Sequence, residues 1–199
     1  MVTPPTGQVP AIHHRRVGDI ALTVVSDGFL DGSMAVLQNI SVEESSEMLR
    51  AAFRPVPRRT SLNCFLVYAG DRVALIDTGA GTHMQKSSGK LLQNMAAAGV
   101  TPGQIDTVLL THMHPDHSNG LATAEGGAFF PNAELAMHAA ERDYWTSAEA
   151  EAEVARSGQG VPTGGAYFPM AKRQMAPYLD RLKLFQGGAE VFPGVTAVH

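Results

Sequence analysis

A mixed domain, either α/β or layered α+β, is what the sequence predicts. Three observations predict it. The first β-rich runs pair as a hairpin, the later ones alternate with helical stretches, and 44% of the 199 residues are hydrophobic, enough for a sizeable core. Taken in order, Ile20-Ala-Leu-Thr-Val-Val-Ser26 reads as a strand closed by the turn signal Asp27-Gly28. Ser41-Val-Glu-Glu44 is a capping box, in which a hydroxyl and a carboxylate three residues apart satisfy free amides at a helix start. That helix should run to Phe53 and stop before Pro55. Asn63–Tyr68 and Arg72–Ile76 are strand-like runs around Ala69-Gly70-Asp71, hence the hairpin.

A second helix is expected from Lys90 to Ala98, with Gly99 as its left-handed stop. Ile105–Leu110 and Glu134–His138 read as further strands. Helices are expected through Glu141 to Glu153 and from Pro169 to Leu179, with a loop from Gly158 to Gly165 between them. Leu182–Phe185 and Val195–His199 read as short closing strands. Because the sequence stops inside an expected strand, it reads as a fragment.

Composition excludes several functions. With 15 basic and 19 acidic residues the formal charge is −4, so the basic stripe of a nucleic-acid surface is not expected. No segment approaches the roughly 18 apolar residues of a membrane span. The proline-rich start lacks the apolar run of a secretory signal, and a cytoplasmic protein is expected. Cys64 is the only cysteine, so any metal must be held by nitrogen and oxygen.

That limit matters because Thr111-His112-Met113-His114-Pro115-Asp116-His117 packs three histidines and a carboxylate into six positions. If His112 and His114 continue an extended chain, both imidazoles face one side and can converge on a cation. Pro115 then breaks the strand, and Asp116 and His117 come round at the turn into a helix to hold a second cation. Two such ions, roughly 3.5–4 Å apart, can share a hydroxide and polarise a substrate oxygen. Clustered imidazoles repel once protonated, which argues against a merely solvated cluster. Upstream, Asp77-Thr78-Gly79 is either a plain strand-end turn or the seat of a buried carboxylate that orients the histidine turn from behind.

These motifs resemble the metallo-β-lactamase superfamily of hydrolases. Gly18–Gly28, Leu75–Gly79, Ile105–Gly120 and Glu141–Trp145 are similar to a narrower branch, that of methyl parathion hydrolase and the quorum-quenching lactonases. The resemblance implies an α+β fold, an αββα sandwich of which this chain supplies the N-terminal portion only. Residues 1–15 would be a flexible segment and 16–199 the domain, incomplete at its C-terminal end.

It further implies His112 and His114 on one metal and Asp116 and His117 on the other. Asp116 is counted among the catalytic residues, and Asp77 supports the ligands. Trp145 would line the leaving-group pocket, although a lone helical tryptophan is more often core. Two divalent ions are implied, zinc first, with manganese, iron or cobalt as alternatives. A metal-bridging hydroxide would attack a lactone, ester or organophosphate. The alternatives are a glyoxalase II-like thioesterase and a truncated, non-catalytic metal-binding module.

A third histidine, a bridging aspartate and a last histidine are expected beyond His199, with His199 itself a lesser candidate. Half a sandwich would leave an apolar sheet face bare, so instability or self-association, a homodimer for instance, is expected. The expected partner is otherwise a small-molecule substrate, with neither nucleic acid nor membrane. His13, His14, His83 and His138 are read as solvated, exposed or hydrogen-bonded residues.

Overall fold

A seven-stranded sheet follows chain order from one edge to the other. The computed structural model describes residues 11–157 and 164–198. Strands β1 (Ile12–Val17), β2 (Ile20–Gly32), β3 (Arg58–Ala69) and β4 (Arg72–Ile76) form an antiparallel meander. From β4 onward the pairing turns parallel, through β5 (Thr107–Leu109), β6 (Glu134–His138) and β7 (Leu182–Phe185). Each parallel neighbour needs a crossover, and the connecting segments carry the helices. The mixed α+β architecture is therefore as expected.

Alternation along the strands divides the core in two. Leu66, Leu75, Val108, Leu135 and Met137 face one side, where α2 (Leu91–Ala97), α4 (Ala139–Thr146) and α6 (Gly164–Met175) cover them with Leu91, Met95, Trp145, Phe168, Ala171 and Met175. Val67, Ala74, Leu109 and Ala136 face the other side. There Phe192, with Val191 and Val195, packs down from a hairpin of β8 (Glu190–Phe192) and β9 (Val195–Thr196). Adjacent residues serve opposite faces, so the buried strands read as continuous apolar runs. Among the described residues no helix is long and apolar enough to cross a membrane.

Several boundaries differ from expectation. Residues 12–15, expected within a flexible segment, belong to β1, paired with β2 from Ile12↔Val25 to Val17↔Ile20. Polar side chains at four successive positions hid this edge strand. Asp27-Gly28 does not end β2. The register shifts between Ser26 and Gly28, and the strand continues to Gly32. Gly28 has φ 110°, and a Cβ there would sit 2.0 Å from the Ser87 carbonyl oxygen, so a glycine is needed for the close approach and not for a turn.

Ser41 caps α1 (Val42–Ala51) as expected, its hydroxyl accepting from Glu44 N, but the helix stops short of Phe53. The helix expected through Glu153 is broken at Ser147, which turns extended and whose hydroxyl oxygen accepts from Ala150 N at the start of α5 (Ala148–Ser157). Residues 158–163 and 199 of the expected loop and last strand lie outside the described residues. Helix α6 begins at Gly164, with Pro169 inside it and not at its start. A short 3-10 turn, Ala176–Arg181, follows.

One buried acid ties the meander to the helical half. Asp27 is fully buried, and its carboxylate accepts from Ala80 N at 2.9 Å, Gly89 N at 3.2 Å and Leu91 N at 2.9 Å. Burial pushes its pKa up and these backbone amides pull it back, the balance lying above the ordinary carboxylate value. Asp27→Ala should leave all three donors without their acceptor. At about 1–3 kcal/mol for each unsatisfied buried group, the expected loss is at least about 3 kcal/mol, read as a lower urea midpoint at unchanged slope.

Candidate functional site

The carboxyl ends of β4, β5 and β6 meet at one edge of the sheet, where the chain leaves each strand for a loop or helix. Such edges of parallel strands are where open sheets bind ligands. β5 runs out at Leu109, and the histidine turn follows. His114 is extended (φ −61°, ψ 151°), as a residue before proline must be. Pro115 occupies the first position of the single-turn helix α3 (Pro115–Ser118), where its missing N–H costs nothing.

Local geometry thus brings the four expected residues together. The His112 and His114 rings lie 4.7 Å apart and those of His112 and His117 4.0 Å apart. His112 Nε2 faces His114 Nδ1 across 3.1 Å, and His117 Nε2 lies 3.5 Å from an Asp116 carboxylate oxygen. The intervening Met113 points the other way, into the core, and is 1% exposed.

Asp77 holds this turn from behind. It leaves β4 at φ 59° and is 5% exposed. Its carboxylate accepts from Thr111 N at 2.9 Å, from the Thr111 hydroxyl at 2.9 Å and from His117 Nδ1 at 2.8 Å. Thr78 N and the Thr78 hydroxyl both donate to the His117 carbonyl, at 2.7 and 3.0 Å. Gly79 follows at φ 69°, where a Cβ would fall 2.4 Å from the Asp27 carboxyl carbon. The glycine lets the strand exit pass between the two acids.

Hydrogen-bond logic then assigns the tautomers. An ionised carboxylate can only accept, so His117 carries its hydrogen on Nδ1 and presents Nε2 as a lone pair. The Thr111 hydroxyl gives its single hydrogen to Asp77. It must therefore accept from His112 Nδ1, 3.1 Å away, which leaves His112 Nε2 as a lone pair too.

The cluster's titration follows from burial and these partners. Burial, then the neighbouring His117 and His114, holds His112 below its ordinary pKa. Burial alone would depress His117 as well. The hydrogen bond and charge of Asp77, aided by Asp116, outweigh it and raise the pKa.

Trp145 is in the core at 5% exposure, and its edge borders the cluster, ring centroid 5.6 Å from His114. Its indole N–H donates to Glu141 Oε2 at 2.9 Å. His138 accepts from Ala140 N, capping α4. His14, on the exposed strand β1, pairs with the Thr23 hydroxyl of β2, and His83 lines a cavity of about 380 Å³ with Thr78, Asn119 and Phe129. Sequence reasoning gave no role to Thr111, Thr78 or Glu141. The first two are common residues beside the motif, and Glu141 reaches the site only because β6 lies next to β5.

Imidazole lone pairs with a carboxylate oxygen are a donor set that fits a divalent cation. The donors stand as two pairs, His112 with His114 and Asp116 with His117. Among the described residues no group of three or more His, Cys, Asp or Glu side chains is disposed to hold a metal ion.

The chain belongs to the metallo-beta-lactamase superfamily, whose family model matches residues 57–194. Its structural neighbours are lactonases and hydrolases of that superfamily. The hydrolase AbOPH of the beta lactamase superfamily is 30% identical, with a TM-score of 0.81 over 93% of this chain and 64% of that one. AidC, a dizinc quorum-quenching lactonase solved with a product, is 22% identical, with a TM-score of 0.81 over 92% of this chain and 64% of its own. At that identity the likeness carries the fold alone. A curated protein from Caenorhabditis elegans, described as uncharacterized, is 35% identical over 68 residues, 34% of this chain and 17% of its own. The chain thus spans less than two-thirds of the length of these relatives.

Asp77→Asn tests the support. Without the carboxylate, burial is opposed by Asp116 alone and the His117 pKa should fall from its raised position toward or below its ordinary value of 6.5. In wild type it stands above 6.5, so the His117–Asp77 pair stabilises the metal-free fold fully below that value. The contribution fades as pH rises through the raised pKa. Imidazole proton shifts and urea midpoints across pH 5–8 check both statements.

Proposed function

We propose that the histidine turn is the ion-binding centre of a metal-dependent hydrolase acting on a lactone, ester or organophosphate. The single observation carrying this is the Asp77-anchored turn, which gathers His112, His114, Asp116 and His117 at one sheet edge with two imidazole nitrogens left as lone pairs. His112 and His114 would hold one divalent cation, and Asp116 and His117 a second. Zinc suits this set best, with manganese, iron and cobalt as alternatives. Bound there, the cations would make water acidic enough to supply hydroxide near neutral pH and would draw charge from the scissile oxygen. A hydrolase at 30% identity and a dizinc lactonase of the same fold support the reading.

The chain's own part is preparation. Asp77 keeps a hydrogen on His117 Nδ1, and through the Thr111 hydroxyl it keeps one on His112 Nδ1. Both rings are then ready to bind without a tautomer shift. Tyr167, its ring centroid 6.2 Å from His114 and only partly buried, would offer an aromatic surface to an apolar acyl or aryl group, with the buried Trp145 and Phe168 behind the site. A second reading, a metal-binding module without catalysis, is favoured by the grouping of the described donors in pairs without a triad.

Metal analysis and turnover separate these readings. The chain should retain zinc after dialysis, and His114→Ala should lose most of it. A homoserine lactone or an aryl phosphotriester should be hydrolysed at least about tenfold faster than a glutathione thioester. The opposite preference would favour the thioesterase, and zinc retention with no turnover the module. Unchanged metal and rate in His114→Ala would sink the assignment.

A further inference from the structure

We infer that Glu141 is a positioning residue for the histidine turn, its carboxylate fixing the Met113 amide between His112 and His114 while clamped by the indole that borders His114. This rests on reading those histidines as cation ligands. A single oxygen, Glu141 Oε2, accepts from Met113 N and from Trp145 Nε1, each at 2.9 Å.

The placement is specific. In extended chain the side chains of 112 and 114 share a face, and the peptide of 113 sets the distance between them. With the Met113 side chain anchored in the core and its N–H held by a charged acceptor, the backbone can neither rotate nor slide. The two rings therefore keep their 3.1 Å approach. Asp77 grips the turn at Thr111 and His117, and Glu141 grips its middle from helix α4, which follows the strand on the opposite flank.

Glu141 lies in the first turn of α4, where helix amides favour a negative charge, and Trp145 is one turn further on. The shared bond removes the rotamer freedom that a half-buried glutamate would otherwise keep. Glu141 touches no reacting group in this arrangement, and it acts through the backbone.

Zinc affinity, by competition with a chromophoric chelator, is the primary measurement, and the emission of Trp145, the only tryptophan, is the second. Glu141→Leu removes both bonds and should weaken zinc binding about 10–100-fold, the range for partners of metal ligands. It should also abolish the response of Trp145 emission to zinc. Glu141→Gln keeps an acceptor oxygen and should recover affinity to within about tenfold of wild type.

Folded Glu141→Leu with wild-type zinc affinity overturns the inference. Should that variant not fold, Trp145→Phe decides. It keeps an aromatic ring in the core but loses the indole N–H that clamps Glu141, and an affinity unchanged from wild type overturns the inference equally. A wild-type chain that takes up no zinc overturns the reading of the histidines themselves, and this inference with it.

Discussion

Asp77 accepts hydrogen bonds from Thr111 N, the Thr111 hydroxyl and His117 Nδ1, and so joins both ends of a seven-residue turn to the exit of β4. Three imidazoles crowded at ring distances of 4.0 and 4.7 Å would otherwise move apart, since each added proton repels the next. A nearly buried carboxylate opposes that in two ways. It offsets the positive charge, and it dictates which nitrogen of His117, and through Thr111 of His112, holds hydrogen. The same acid thus maintains the shape of the turn and the tautomers of two of its rings.

The sheet supplies the place for that contact. β4 and β5 run parallel, with Ile76 opposite Leu109, so both strands end at the same level and the loops leaving them lie side by side. β6 joins on the other flank, with Leu109 opposite Ala136, and delivers α4. Asp77 from one side and Glu141 from the other are consequences of a strand order, 4-5-6, that the chain follows without a jump. Behind the site, Asp27 gathers three backbone amides and braces the loop after Asp77 against the antiparallel half.

Much of this was legible in the residues. Alternating or continuous apolar runs marked β2 to β7, Ser41 marked a helix start, and Pro115 marked the break between strand and helix. The misreadings share a cause. Asp27-Gly28 carries a turn signal, yet it serves a register shift beneath Ser87, a contact 59 residues away in sequence. Residues 13–16 are too polar to announce an edge strand that gains its stability by pairing with β2. Ser147 divides one helical stretch into two by capping its second half, which local helix propensity does not reveal.

The order of residues alone determined the grouping of His112, His114, Asp116 and His117, because spacing within a heptapeptide is local geometry. His112 and His114 share a side by strand periodicity, and proline turns Asp116 and His117 toward them. Only the tertiary structure decided which atoms of those rings are open and added Glu141 to Asp77 among the acids that steady the turn. Those choices depend on Asp77, Thr111 and Glu141 meeting across three adjacent strands. Contacts between residues 28 to 40 positions apart are set by sheet register, which no short stretch of sequence encodes.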